Sequence, residues 1–309
     1  MVHVRKLDRG DVDDVVRRVE LRLRHDAQIN DLVSFQISTE EFGHALADAT
    51  SSTWVALDGD VLVGHLYGAL LESAVYGHGV WIGPDAVSFD GTDVLSDLYA
   101  QAGQEWIERG ALEHYVWVLD DASSTQPWYE LGFARMHTRG VLAIDALRGH
   151  ELADIYSLRR GTLDDLDVAV SLSEELNLAQ EKGPSFSIDL NTTSERDELL
   201  ETLSDPEVAY YLVEYEGRAV GQCITFPLPA RRGSFDDTLH LSAVVVSEDH
   251  RGRGVATALV NSALDEAFAE GFRYVETNWR VTNRQAQHFW TSYGFRPTYV
   301  RLHRTIGAG

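Results

Sequence analysis

Leu239-His-Leu-Ser-Ala-Val-Val-Val-Ser-Glu-Asp-His-Arg-Gly-Arg-Gly-Val-Ala256 is the most informative stretch of the chain. An apolar strand runs into Arg251-Gly-Arg-Gly254, and a helix starts at once at Val255. Glycines let successive backbone N–H groups turn inward, and the N-terminus of a helix adds positive potential. Arg251 and Arg253 add charge to an acidic chain, so the segment reads as an anion cradle of pyrophosphate size. It lacks the Gly-Lys-Ser/Thr of nucleotide-hydrolysing loops. It also lacks G-x-G-x-x-G with a following acidic strand end, so a dinucleotide fold is not indicated.

The chain reads twice through one order of elements. The first half gives a strand at Val2–Leu7, helices at Asp11–Asp26 and Ser38–Ala49, and a hairpin around Asp58-Gly59-Asp60. An apolar stretch ending at Trp81-Ile82 follows, then a helix at Val94–Arg109 and a strand at Tyr115–Leu119. A last strand near Val141–Ile144 closes this half. The second half repeats the order, with a hairpin around Glu216-Gly217, a strand at Leu239–Val246 and helices at Val255–Glu270 and Arg284–Tyr293. Its closing strand reads as Thr298–His303. Both halves share Trp-x-x-x-Gly-Phe, at Trp128/Gly132/Phe133 and Trp290/Gly294/Phe295.

On these residues the sequence resembles the GCN5-related N-acetyltransferase (GNAT) superfamily. The family's Arg/Gln-x-x-Gly-x-Gly/Ala signature is met by Arg251, Gly254 and Ala256. A second family segment is met by Asn283, Ala286, Phe289, Gly294 and Phe295. The resemblance implies a mixed α/β (α+β) architecture of two tandem GNAT-like domains, each a twisted, mostly antiparallel sheet flanked by helices. Residues 1–148 would form a degenerate copy and 149–309 the acetyltransferase domain. It also implies acetyl-CoA as co-substrate, with pantetheine on the backbone of Val244 and Val246. The pyrophosphate would sit on Arg251, Gly252, Arg253, Gly254, Val255 and Ala256, and Asn283, Ala286, Phe289 and Trp290 would flank the cofactor.

Amine acylation needs a base for the ammonium form and an acid for the leaving thiolate. In several family members a glutamate precedes the loop on the fourth strand; counting back eleven residues from Arg251 lands on His240. A histidine titrates near neutrality and suits the task. Glu214 and Glu216 are alternatives. The family's usual acidic tyrosine is replaced by Trp290, whose indole N–H is no usable proton donor, and Tyr293 is the nearest substitute.

Composition sets the limits. The 309 residues carry 26 Lys+Arg against 49 Asp+Glu, a net charge of −23 that repels nucleic-acid backbones and anionic lipid. At 44% hydrophobic and 24% charged, the chain can bury a core. Cys223, the single cysteine, excludes an intrachain disulfide and reads as a small core thiol. The histidines show no ligand spacing, so no metal is assigned. A signal region and a long apolar run are absent from the sequence, which reads as cytoplasmic. In the first half, Ile82–Asp93 has no arginine, and Asp85, Asp90 and Asp93 would oppose a pyrophosphate. The expected function is N-acetylation of a primary amine on a small molecule. Alternatives are a non-catalytic acyl-CoA-binding or regulatory protein, a mycothiol-synthase-like acetyltransferase, or a protein acetylase.

Overall fold

The computed structural model describes residues 2–35, 51–73, 77–149, 151–186, 192–229 and 233–307. The helix expected at Ser38–Ala49 lies outside them. The chain divides into two compact units. Unit 1 comprises Met1–Arg139, Ala230–Phe235 and Pro297–Gly309; unit 2 comprises Gly140–Pro229 and Asp236–Arg296.

Unit 1 contains β1 (Val2–Lys6), α1 (Val12–Ile29), β2 (Ser51–Asp58), β3 (Val61–Ser73), β4 (Gly77–Ile82) and β5 (Val87–Phe89). Next come α2 (Thr92–Glu108), β6 (Glu113–Leu119), α3 (Ala122–Glu130) and most of β7 (Ala134–Ala143). Its sheet runs β1-β2-β3-β4-β6-β13, where β13 is Arg296–Thr305. Only β4 and β6 pair in parallel within that run, and β5 pairs with β3. The Asp58-Gly59-Asp60 turn forms as expected, with Gly59 at φ 63°.

Unit 2 contains β8 (Tyr156–Arg160), α4 (Leu166–Glu181), α5 (Thr192–Ser204), β9 (Ala209–Tyr215), β10 (Arg218–Pro227) and β11 (Thr238–Val246). It continues with α6 (Val255–Glu270), β12 (Tyr274–Arg280) and α7 (Arg284–Tyr293). Its sheet runs β8-β9-β10-β11-β12, with the end of β7 beyond β12. Antiparallel pairing holds from β8 to β11, and β11 pairs with β12 in parallel. α6 lays Val255, Leu259, Ala263 and Ala267 into the core at helical spacing, and Gly271 at φ 102° ends it.

The unit boundaries depart from a cut at 148/149. β13, expected to close the second half, pairs with β6 from Tyr299↔Leu119 to Thr305↔Glu113. Its fully buried Val300 and Leu302 pack with Trp106, Trp128 and Phe133 of unit 1. Conversely, Leu142 and Ile144 from the end of the first half pack with Trp279 and Phe295 in unit 2. Gly140 permits this, since a Cβ there would stand 2.4 Å from the Trp279 ring. Each unit is therefore completed by the strand that ends the other sequence half. The hydrophobic pattern of a strand marks which face is buried but not which strand it joins.

Leu302→Ala should cost about 2–5 kcal/mol, the range for emptying a packed core site. Hydrogen exchange should then rise in Glu113–Leu119 of unit 1 more than in Tyr274–Arg280 of unit 2. The reverse order would refute the exchange of closing strands.

Candidate active site

In unit 2 the pairing of β11 with β12 covers Thr238↔Tyr274, Leu239↔Val275 and His240↔Glu276, and stops there. The next carbonyl, Leu241 O, accepts the Thr277 hydroxyl at 3.0 Å. β11 keeps its β10 partner to Val246, but a register shift between Gln222 and Ile224 accompanies Ala243 at φ 47°. A left-handed alanine is strained, and such strain concentrates at functional sites. The two strands thus part, and the edge of Ser242–Val246 lies open toward β12.

That edge leads into the glycine loop. Gly252 has φ 72°, and Gly254, the N-cap of α6, has φ 83°. Among the described residues no side chain caps α6. Its ladder starts with Ala258 N–H on Gly254 O at 2.9 Å, so the N–H groups of Val255, Ala256 and Thr257 have no carbonyl partner within the helix. Among the described residues, a Cβ on Gly254 would come within 4 Å of Glu151 O alone, at 3.9 Å. A cleft of about 450 Å³ adjoins it, with Arg251, Lys182 and Arg284 facing Glu175 and Glu248. Three cations against two carboxylates make this a locally positive spot on a strongly acidic chain.

The expected residues take different parts. Arg251 lines the cleft and donates Nε–H to Val246 O at 2.9 Å, so that carbonyl is engaged by the loop itself. Arg253 is exposed and is not among the residues lining the cleft. The Val255 side chain is core, which leaves its backbone N–H for the cradle, and Val244 packs against the core. Asn283 lines the cleft while its Oδ1 accepts Ala286 N–H at 3.0 Å, capping α7. Ala286 and Phe289 pack half-buried against the core.

Two expectations are corrected. Trp290, expected to flank the cofactor, is buried edge-on against Phe289 and Phe295, with ring centres 4.9 and 5.0 Å away. It is a core residue because its indole fills the space beneath α7. Tyr293, expected as the acid, donates its hydroxyl to Asn261 on α6, and burial pushes it up to about 12. A phenol so reluctant to ionise would protonate a thiolate uphill. Glu214 is held by Arg159 at 2.8 Å and serves the fold. Cys223 is fully buried, and burial pushes its thiol up.

His240 stands at the parting of the strands, with its Nδ1 3.6 Å from Glu276 Oε1. Sequence reasoning missed Glu276, because parallel register joins residues distant along the chain. It also missed Lys182 and Ser185, which the loop after α4 brings into the cleft.

Residues 176–295 match the acetyltransferase (GNAT) family model. An uncharacterised N-acetyltransferase, YjgM, of Escherichia coli (strain K12) is 36% identical over 126 residues, which span 39% of this chain and 71% of that protein. The chain belongs to the GNAT acetyltransferase family. Two solved GNAT structures share the fold. A GCN5-related N-acetyltransferase from Sphaerobacter thermophilus superposes with TM-score 0.65 at 19% identity, covering 100% of this chain and 96% of that one. A tandem GNAT protein from the clavulanic acid biosynthesis pathway has TM-score 0.59 at 17% identity, with 100% of both chains covered.

The GNAT motifs fall in unit 2, and unit 1 differs at the matching points. Gly64↔Phe89 and His65↔Ser88 in unit 1 match Gly221↔Val246 and Gln222↔Val245 in unit 2. Val87 therefore stands where Val244 stands. Its carbonyl accepts a hydrogen bond from Arg22 of α1. Arg18 grips Asp90 through both Nη atoms, at 2.6 and 3.2 Å, and donates to Leu62 O and Val63 O. Asp90 is thus neutralised within the unit, and arginines of α1 cover the edge that unit 2 leaves open.

Asn283→Ala should destabilise unit 2 by about 1 kcal/mol through loss of the α7 cap. Asn283→Asp should retain most of that stability. Denaturant unfolding of both variants checks the assignment, and an unchanged midpoint for the alanine variant contradicts it.

Proposed function

We propose that this GNAT protein transfers the acetyl group of acetyl-CoA to a primary amine of a small molecule, and that unit 2 alone carries the working site. The observation that supports this most strongly is the continuity of three features in one unit. The open β11 edge leads to the Arg251–Gly254 loop, and the loop leads to the uncapped start of α6. The donor set fits a diphosphate: backbone N–H groups at a helix N-terminus, two left-handed glycines and a guanidinium.

Bound acetyl-CoA supplies an activated thioester. The chain holds it in place: the N–H groups of Val255 and Ala256 with Arg251 take the diphosphate, and the Ser242–Val244 edge takes the pantetheine. His240, at the end of the strand pairing, accepts a proton from the acceptor's ammonium group. Tyr293 keeps its proton on Asn261. The sulfur leaves without a protein acid, since an ordinary thiol ionises near pH 8.5 and its thiolate is a tolerable leaving group. In unit 1 the Arg22–Val87 bond closes the matching edge, which supports a single site per chain.

A second reading, an acyl-CoA-binding regulatory protein, draws on Trp290 at the usual tyrosine position. Turnover separates the two, because a sensor binds acetyl-CoA without releasing coenzyme A to any amine.

Calorimetric titration with acetyl-CoA should give close to one site per chain, whereas two would mean unit 1 also binds. Gly254→Glu should abolish binding, since its carboxylate would enter the cradle, and unchanged affinity would reject the loop as the phosphate site. His240→Ala should bind acetyl-CoA normally and lose roughly 10²–10⁴ in kcat, the usual share of a general base. Full turnover by this variant at every pH would remove His240 from the mechanism.

A further inference from the structure

Resting on the acyltransferase reading above, we infer that Glu276 positions His240 as the proton acceptor, the two forming a carboxylate–imidazole pair across the parting of β11 and β12. They are the last residues in register before the strands separate, so both side chains project from one face at the mouth of the split. Nδ1 of His240 lies 3.6 Å from Oε1 of Glu276. This is within ion-pair distance.

The two side chains differ in access. Glu276 is 1% exposed and His240 14%, so the carboxylate lies behind the imidazole as seen from solvent. A carboxylate buried to this degree needs compensating partners, and the imidazole is one that moves a proton. With Nδ1 turned to Glu276, Nε2 is the nitrogen left for an acceptor. The carboxylate favours the tautomer with hydrogen on Nδ1, which gives Nε2 a lone pair, and it stabilises the imidazolium formed on proton uptake. That is the role of the carboxylate in triad chemistry. Phe226, paired with His240 on β10, packs against its other side with ring centres 5.0 Å apart. Along the same face of β12 stand Tyr274, Asn278 and Arg280, and Arg280 donates to Gln180 of α4 at 2.7 Å.

Unit 1 supplies an internal control. Its β4 and β6 pair Trp81↔Tyr115, and Trp81 faces Ala69 of β3 as His240 faces Phe226 of β10. At these positions the two rings stack with centres 4.6 Å apart. A hydrophobic pair therefore satisfies the fold at this point. Unit 2 carries instead a pair that exchanges protons, in the unit that has the phosphate loop.

The acceptor's ammonium gives one proton to Nε2 of His240. The freed lone pair forms the C–N bond as the C–S bond breaks, and the C–S electron pair leaves on sulfur. The nitrogen's second proton passes to solvent, from which the thiolate takes up a proton according to pH; the third stays in the amide, and His240 returns its proton to solvent.

The test compares wild type, Glu276→Gln and Glu276→Asp by two readouts. The first is ¹⁵N NMR of histidine-labelled protein saturated with acetyl-CoA, which reports the nitrogen of His240 that carries hydrogen. Wild type should show the Nδ1–H tautomer and Glu276→Gln a different distribution. The second is kcat across pH 6 to 10 with spermidine, tyramine and glucosamine as probe amines. Glu276→Gln should lose roughly tenfold or more in kcat, with KM for acetyl-CoA unchanged. Glu276→Asp should recover part of the rate. A tautomer unaffected by Glu276→Gln overturns the pairing even if no probe amine is turned over. Wild type that fails to bind acetyl-CoA defeats the acyltransferase reading instead, and the two failures are distinct.

Discussion

The pairing of β11 with β12 lasts three residues, and the chemistry available to unit 2 depends on where it ends. Inside a sheet each backbone group is consumed by a neighbour; at a parting, a short run of polar backbone becomes available without becoming surface. Unit 2 maintains this opening from several sides. Thr277 takes the carbonyl of Leu241, Arg251 takes that of Val246, and Ala243 absorbs the bend at φ 47°. The same turn of chain delivers the loop to the start of α6, where the helix needs acceptors for its first N–H groups. The extended acyl carrier with a diphosphate proposed as co-substrate would meet both needs in sequence.

Unit 1 keeps the same frame with different residues along that edge. The strand-to-helix staple persists in both units: Arg5 on Asp11 at 2.6 and 2.9 Å, Arg159 on Asp165 at 2.9 and 2.7 Å. Both hairpins persist, as does a helix after each parted strand. The differences gather on the working edge. Where α4 of unit 2 presents Leu172 and Leu176, α1 of unit 1 presents Arg18 and Arg22, aligned by the staples. Those guanidiniums answer the carbonyls of Leu62, Val63 and Val87 from within. A backbone acceptor satisfied intramolecularly has little to gain from a ligand.

The parts legible in the sequence were those whose meaning is local. α6 at Val255–Glu270 and α7 at Arg284–Tyr293 coincide with their expected limits because glycines and a capping asparagine mark them. The hairpin turns were legible for the same reason. What escaped was set by partners far along the chain. β13 reads as an apolar strand wherever it pairs, so its place beside β6 was hidden. Three-residue β5 is too short to show a period. Glu276 looks like any charged residue in an alternating strand until the register sets it beside His240. Trp290 failed differently: matching it to a family position assigned a ligand-facing role, while its volume took it into the core.

On the proposed mechanism base and acid are unequally provided in unit 2, and the leaving group's chemistry makes that intelligible. An alkylammonium holds its proton near pH 10, so at neutral pH a nucleophilic lone pair must be uncovered before attack. A thiol near 8.5 already parts with its proton within two units of neutrality, so the departing sulfur needs less help. Investment in proton transfer therefore belongs on the amine side of the parting. There the chain places an imidazole over a buried carboxylate. On α7 it leaves a core tryptophan and a tyrosine whose hydroxyl is committed to Asn261. On that mechanism, Trp290 at the position of the family's tyrosine removes an accessory to departure and leaves the demanding proton transfer in place.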